Sequence, residues 1–376
     1  MKNVAIICEY NPFHNGHKMQ IEEIRSAFYP EPVCIISLMS GNFVERGDLA
    51  CAQKYQRAEF AVNNGADLVL ELPFPYPLSG AESYACAAVK LLTTLPDVDY
   101  LCFGSESGRR EYIELTAERL LLDDFTNELQ REASSDYSLS YAALRERIYR
   151  RIYGEELPKT PNDILAVEYV KSLKQLRSNI KPLVIKREND FSATEARRMI
   201  LSGVGAKGIV PFDVSDHFEN NPALSLEDLR EYIIPHLMLS DPHELEIYWG
   251  MNYDLAVKLV NSAKGCRSIA ELENRVSDKR YSRARVRRAL LSCAFKIKAS
   301  IPDAPGHALL LAAGSVGKAY LASHGSEELA IYSKRSEIKD PDILDFYDMQ
   351  TTADGIYERI LQIKGVQVIR KPFIAG

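Results

Sequence analysis

Short runs of apolar, largely β-branched residues recur along the first half of the chain, at Val4–Ile7, Val33–Leu38, Leu68–Leu72, Tyr100–Phe103 and Leu183–Ile185. Most of the segments between them place their hydrophobic residues at helical spacing. A short continuous apolar run suits a strand buried on both faces, and strands alternating with helices imply a parallel sheet covered on both sides. Residues 16–28 read as the first helix, entered through Asn15-Gly16. Residues 53–64 repeat the plan and stop at Asn64-Gly65, a C-cap signal.

In such sheets ligands collect at the carboxyl ends of the strands, where loops and helix N-termini converge. The unusual residues fall there: Asn11 to His17 after the first strand, Ser40-Gly41-Asn42 after the second, Gly104 to Gly108 after the fourth, and Ser192-Ala193-Thr194 after the fifth. Asp67 and Glu71, on the third strand, are assigned to structure.

The plan changes along the chain. Residues 117–152 are rich in Leu, Arg, Glu and Tyr at helical spacing and predict a helical insertion. After Gly203-Val204-Gly205, residues 224–300 read as successive helices bounded by Pro222, Pro235, Pro242 and Pro302. Beyond Pro305-Gly306, the runs Ala308–Ala313, Leu329–Tyr332 and Val366–Ile369 suggest further short strands. The predicted architecture is α/β: a Rossmann-like parallel-sheet domain over 1–205, a helical domain over 206–300, and a small mixed α/β C-terminal region over 301–376.

Composition narrows this only modestly. A chain of 376 residues with 46% hydrophobic and 26% charged side chains is an ordinary globular protein, long enough for two or three domains. Cys8, Cys34, Cys51, Cys86, Cys102, Cys266 and Cys293 contain no CxxC and read as buried thiols, which points to a reducing, cytoplasmic setting. The N-terminal apolar stretch meets Glu9 too soon for a signal sequence or a membrane span. A net charge of −6 argues against a surface that binds polyanions everywhere, while leaving room for a local basic patch.

The strongest chemical signal is Glu9-Tyr10-Asn11-Pro12-Phe13-His14-Asn15-Gly16-His17, because it follows a buried strand and opens a helix. A helix N-terminus offers unpaired N–H groups and a positive dipole end to phosphate. Gly16 lets a nucleotide approach the backbone, and two imidazoles three residues apart can point to one side and donate hydrogen bonds to phosphate oxygens. This His-x-Gly-His pattern resembles that of the HIGH-type nucleotidyltransferase superfamily. The other readings of the pair are metal ligands or surface histidines, and only Cys8 and Glu9 lie near enough in sequence to extend a metal set.

A second signal, Ser192-Ala193-Thr194-Glu195-Ala196-Arg197-Arg198, looks like a helix start with a hydroxyl cap. Alone it describes many solvated helices. Enzymes of the superfamily that the upstream motif resembles close the triphosphate between that motif and a basic second one, which implies a phosphate clamp here with Arg197 gripping the distal phosphates. A third, from Arg275 to Lys298, holds nine Lys or Arg against one acid, Asp278. Lys279, Arg280, Arg283, Arg285, Arg287 and Arg288 read as an RNA-backbone footprint with Tyr281 available for stacking; the alternative is a solvated helix face.

These residues carry a resemblance. The stretches E-Y-N-P-F-H-N-G-H, M-S-G-N-F-V-E-R-G at 39–47, G-A-D-L-V-L-E-L-P at 65–73, C-F-G-S-E-S-G at 102–108 and P-N-D-I-L at 161–165 resemble the bacterial tRNA(Met) cytidine acetate ligase family, and Y-S-R-A-R-V-R-R at 281–288 matches it more loosely. The resemblance implies a ligase that activates acetate with ATP to acetyl-adenylate and passes the acetyl group to N4 of the wobble cytidine of elongator tRNA(Met). It implies no membrane or DNA partner. It places ATP against Ile7, Cys8, Glu9, Tyr10, Asn11, Pro12, Phe13, His14, Asn15, Gly16, His17, Lys18, Met19 and Gln20, then Gly104, Asn162, Arg187, Ser192 and Thr194, with His14, His17 and Arg197 acting on the phosphates. Mg²⁺ is a chemical expectation of ATP; the sequence shows no dedicated carboxylate cage. Two departures stand out. Gln20 occupies a position where many relatives have His, and Glu188-Asn189-Asp190-Phe191 is shorter than the corresponding family segment. Two other functions fit the first motif: adenylyl transfer to a small phosphorylated metabolite, and ATP sensing by a non-catalytic RNA-binding protein.

Overall fold

The computed structural model describes residues 1–133, 139–187, 191–299, 301, 303–324 and 330–375. Strands β1 (Lys2–Cys8), β2 (Val33–Ser40), β5 (Leu68–Leu72), β6 (Tyr100–Ser105) and β7 (Lys181–Lys186) form a parallel sheet in the order β5-β2-β1-β6-β7. Every residue of β2 and β5 is buried. Their apolar residues alternate between two cores, with Cys34, Ile36, Leu38, Leu68, Leu70 and Leu72 on one face and Val33, Ile35, Met39 and Val69 on the other. This two-sided burial is why the strands read as unbroken apolar runs.

Helices α1 (Asn15–Phe28) and α2 (Lys54–Asn63) cover one face, and α3 (Ala81–Thr94) with α7 (Pro161–Gln175) the other. Between β6 and α7 stand α4 (Arg110–Arg119), α5 (Asp123–Ala133) and α6 (Tyr141–Tyr153), over the stretch where an insertion at 117–152 was expected, of which 134–138 lie outside the described residues. A small antiparallel ladder, β3 (Phe43–Val44) with β4 (Asp48–Leu49), follows β2.

After α8 (Ala193–Leu201) and α9 (Phe212–Asn220), the chain runs through α10 (Arg230–Leu239), α11 (Pro242–Leu245), α12 (Tyr253–Ala263), α13 (Ile269–Val276) and α14 (Arg283–Ala294). These helices were expected as a domain beginning at 206. Ala206, Val210 and Val214 instead pack into the core of the first domain's sheet, and the helical core takes in Phe43, Leu49, Phe74 and Leu78 from the first domain.

The C-terminal region also departs from expectation, because its strands build no sheet of their own. β8 (Ala308–Ala313) joins the main sheet antiparallel to β5, and β9 (Ile331–Tyr332) and β10 (Phe373–Ile374) pair with β8. After α15 (Ser315–Ser323), the long helix α16 (Pro341–Ile363) sends Ala353, Tyr357, Ile360 and Leu361 into the helical core. Val366–Ile369, read as a strand, is irregular: Gln53 meets it edge-on, donating from Nε2 to the Gln367 carbonyl at 2.8 Å and accepting from the Ile369 N–H at 2.8 Å. Leu329, part of another expected strand, lies outside the described residues.

Cys8, Cys34, Cys51, Cys102 and Cys293 are buried and all seven thiols are free, as their scatter suggested. No described helix is long and apolar enough to cross a membrane.

Candidate functional site

The site is built where β1 ends. Tyr10 adopts a left-handed backbone (φ 44°), and its buried ring shares a hydrogen bond with Ser37 Oγ at 2.9 Å. Asn11 Oδ1 accepts from the Cys51 N–H at 2.8 Å. Beneath this loop lies Arg57, fully buried in α2, with backbone carbonyls as partners: Ala52 at 2.9 Å, Ser40 at 3.1 Å, and those of Glu9 and Gly41. Burial pulls its pKa down, but a guanidinium stays charged. Arg57 thus ties the carboxyl ends of β1 and β2 together. It was missed in the sequence; its only signal there is a cation among the apolar positions of an amphipathic helix.

His14 is the N-cap of α1. Its Nδ1 accepts from the Gly16 N–H at 3.1 Å, and His17 Nδ1 accepts from the His14 N–H at 3.2 Å, so the two side chains close a reciprocal capping box. The rings stack with centroids 3.7 Å apart at 22°, and the rings of Tyr10 and Phe13 stand against His17. Burial, followed by the charges of Arg187 and Arg197, holds His14 down to about 3. Burial, then His14 and Arg187, holds His17 well below its ordinary range. Both imidazoles are neutral near pH 7. Since each Nδ1 is an acceptor, each ring carries its proton on Nε2, as a donor facing away from the helix backbone.

Opposite them stands α8. Arg197 donates from Nη1 to the Asn11 carbonyl and from Nη2 to Thr194 Oγ1 at 3.3 Å. The two motifs, some 180 residues apart in sequence, are therefore in contact, as expected. Ser192 occupies the N-cap of α8, but its hydroxyl makes no capping bond, contrary to the expected cap. Arg187 donates from Nη2 to the Phe191 carbonyl at 2.6 Å. Its stem lies across Gly104, where a Cβ would sit 3.2 Å from Arg187 Cγ. Glu188, Asn189 and Asp190 lie outside the described residues.

The remaining expected residues are more dispersed. Asn15 is fastened to a later loop, its N–H donating to the Ile209 carbonyl and its Nδ2 to the Gly208 carbonyl, each at 2.9 Å. Gln20 Nε2 reaches Cys102 Sγ at 3.6 Å, while Lys18 and Met19 are exposed on α1. Asn162 sits at the start of α7, where Glu106 Oε1 accepts from its Nδ2 at 2.7 Å.

The basic segment divides. Tyr281 is wholly buried with its hydroxyl on Asn252 at 3.1 Å, so it is not free to stack on a base; the guanidiniums of Arg280 and Arg285 lie over its ring instead. Arg287 bridges Glu273 at 2.6 Å and Asp48 at 3.1 Å, and Arg280 pairs with Asp254 at 2.7 Å. Arg288 crosses to the β3–β4 ladder, donating to Glu45 Oε1 at 3.2 Å and to the Glu45 carbonyl at 3.0 Å. Lys279 and Arg283 are exposed and Arg285 partly so.

Comparison with known proteins places the fold and the family. The model of the HIGH nucleotidyl transferase family matches residues 1–368. The protein named tRNA(Met) cytidine acetate ligase from Caldanaerobacter subterraneus subsp. tengcongensis is 32% identical over 368 residues, covering 90% of each chain. The chain belongs to the tRNA(Met) cytidine acetate ligase family. A second such ligase, from Acetivibrio thermocellus, is 28% identical over 97% of this chain and 93% of its own. The crystal structure of Thermotoga maritima TmcAL bound with alpha-thio ATP superposes over the whole of both chains with TM-score 0.89 at 25% identity, and its apo form shares the fold at TM-score 0.87. For this ligase family the shared architecture includes the helical region and α16 as well as the sheet, since the matches run through both.

Proposed function

We propose that the protein is an ATP-dependent tRNA(Met) cytidine acetate ligase. It would activate acetate as acetyl-adenylate and transfer the acetyl group to N4 of the wobble cytidine of elongator tRNA(Met). The observation that carries this reading is the stacked, neutral pair His14 and His17 at the N-terminus of α1, with Arg197 closing over the same loop.

The chemistry asks for two things. In the first step a carboxylate oxygen of acetate attacks the α-phosphorus of ATP and pyrophosphate departs, so negative charge builds on the phosphate oxygens. The Nε2–H groups of His14 and His17 and the guanidiniums of Arg197 and Arg187, gathered at the positive end of the α1 dipole, are donors fixed in place before that charge develops, whereas the first N–H groups of α1 are already taken by His14 and the Ile209 carbonyl. Neutral imidazoles suit the task, because they stabilise by hydrogen bonding and transfer no proton. Ser192 and Thr194 would add hydroxyl donors at the head of α8, and Gly104 and Asn162 would line the β6 side. Mg²⁺ is proposed as the companion of ATP, held by phosphate oxygens and water. In the second step the cytosine amine, weakened by delocalisation into the ring, attacks the mixed anhydride. Lys279, Arg283 and Arg285 are the proposed contacts to the tRNA backbone, and the cytoplasm is the proposed compartment.

The test is exchange of labelled pyrophosphate into ATP, with and without acetate, followed by transfer of labelled acetate to tRNA(Met). Acetate-dependent exchange and a labelled tRNA are expected. Exchange that ignores acetate, or a tRNA that stays unlabelled, would overturn the reading.

A further inference from the structure

The transfer step needs a group to accept the proton that N4 loses, and something to hold the cytosine edge; we propose that Glu45 and Arg288 do this together. The inference rests on the reaction proposed above and deepens it.

Glu45 lies on the turn between β3 and β4, directly after the carboxyl end of β2. Its N–H donates to Glu9 Oε1 at 2.7 Å, and Glu9 belongs to the loop that carries the paired imidazoles. The same loop is fixed by Arg57 through the Glu9 carbonyl. Arg288 arrives from the opposite side, on α14, and meets the Glu45 carboxylate at 3.2 Å. Both side chains keep contact with solvent, at 21% for Glu45 and 18% for Arg288. The turn is seated closely on α14: Gly47 has φ 73°, and a Cβ there would fall 2.5 Å from the Arg288 N–H nitrogen. Arg288 also passes the N-terminus of α3, where a Cβ on Gly80 would touch its Nη2 at 4.0 Å. The carboxylate and guanidinium therefore sit side by side at the junction of the nucleotide loop and the basic helix.

Their chemistry matches one base edge. Cytosine presents an amine donor at N4 and acceptors at N3 and O2; a carboxylate accepts from the first, and a guanidinium fork donates to the others. An unstacked wobble base is the form in which such an edge can be read. In the step, the N4 lone pair forms a bond to the acetyl carbonyl carbon, the bond from that carbon to the adenylate oxygen breaks with its electron pair leaving on AMP, and the N4 proton passes to Glu45. The groups facing Glu45 are Arg288 from α14, Arg46 beside it on the turn, Glu9 from the nucleotide loop and Tyr169 from α7. Burial raises the Glu45 pKa against the pull of Arg288, with Glu9 adding to the rise and Arg46 opposing it, and a raised pKa makes a carboxylate the better proton acceptor.

The experiment separates the half-reactions in Glu45→Gln, an isosteric change. Acetate-dependent pyrophosphate exchange is expected within about threefold of the unmodified enzyme, which also reports an intact fold. Single-turnover acetyl transfer from preformed adenylate to tRNA(Met) is expected to fall about 10²–10⁴-fold, the usual contribution of a general base. Its acid-side fall in rate should vanish, which a merely structural ion pair would not produce. Transfer at an undiminished rate, an unchanged pH profile, or equal loss in both half-reactions would overturn the assignment. Acetate-independent exchange in the unmodified enzyme would instead defeat the parent reading.

Discussion

Protonation of His14 is the sharpest quantity the site offers. In the folded chain its pKa is held at about 3, against an ordinary 6.5, because the ring is buried and faces Arg187 and Arg197. A folded value below the unfolded one means that the unfolded chain takes up the proton first. The stability tied to the neutral ring is fully present above about pH 6.5 and is lost as the pH falls toward 3, at about 1.4 kcal/mol per pH unit within that window. Between pH 7 and pH 5 the loss comes to about 2 kcal/mol by the same relation. His14→Asn keeps an acceptor for the Gly16 N–H but removes the titration. Urea denaturation of the two proteins at pH 7 and pH 5 should therefore show the unmodified chain losing about 2 kcal/mol more than the variant, with the titrations they share cancelling. Nitrogen-15 spectra of the imidazoles should show the Nε2–H tautomer unchanged across the same range. Equal pH slopes, or a His14 signal that titrates near 6.5, would refute the neutral-donor argument.

Other consequences are as direct. His17→Ala should lower acetate-dependent pyrophosphate exchange by about 10²–10³-fold, as expected when one fixed donor to developing charge is removed. Lys54 is buried between Glu71 at 2.7 Å and Asp354 at 2.6 Å, and burial raises the Glu71 pKa. Lys54→Met should destabilise the protein by about 3–5 kcal/mol, read as a lower denaturation midpoint, since it strands buried carboxylates. Gly104→Ala should raise the KM for ATP several-fold with little change in melting temperature, because the new Cβ displaces the Arg187 stem. Replacing Lys279, Arg283 and Arg285 with Gln should weaken tRNA binding and flatten its dependence on log salt by about 2, from the roughly 0.7 to 0.9 expected per phosphate contact.

What the chain spells out locally is the nucleotide loop. A strand buried on both faces, a glycine that admits a close approach, and capping residues at the next helix are all properties of neighbouring positions, so His14 and His17 could be placed at a helix start from their surroundings alone. The inner parallel strands were legible for the same reason, because burial on both faces leaves an unbroken apolar run, and the half-buried edge strand β7 was legible from its short apolar run Leu183–Ile185. The contact between Arg197 and the loop was reached only through the pairing of two motifs, since nothing local links positions so far apart.

The rest depends on partners distant in sequence. Ala308–Ala313 reads as a strand, but apolar residues on both faces say nothing of direction, and only docking against β5 makes it antiparallel and places it in the main sheet. Tyr281 carries an amphipathic side chain that suits a base or a core equally; packing of α12 to α14 puts it inside. Arg287 and Arg288 are two more cations of a basic run until Glu273, Asp48 and Glu45 are brought to them. Arg57 looks like any helix arginine, and its place under the site follows from four carbonyls on three separate segments. Short-range geometry is encoded in adjacent residues, whereas a buried charge is defined by what surrounds it, and only the folded chain assembles those surroundings.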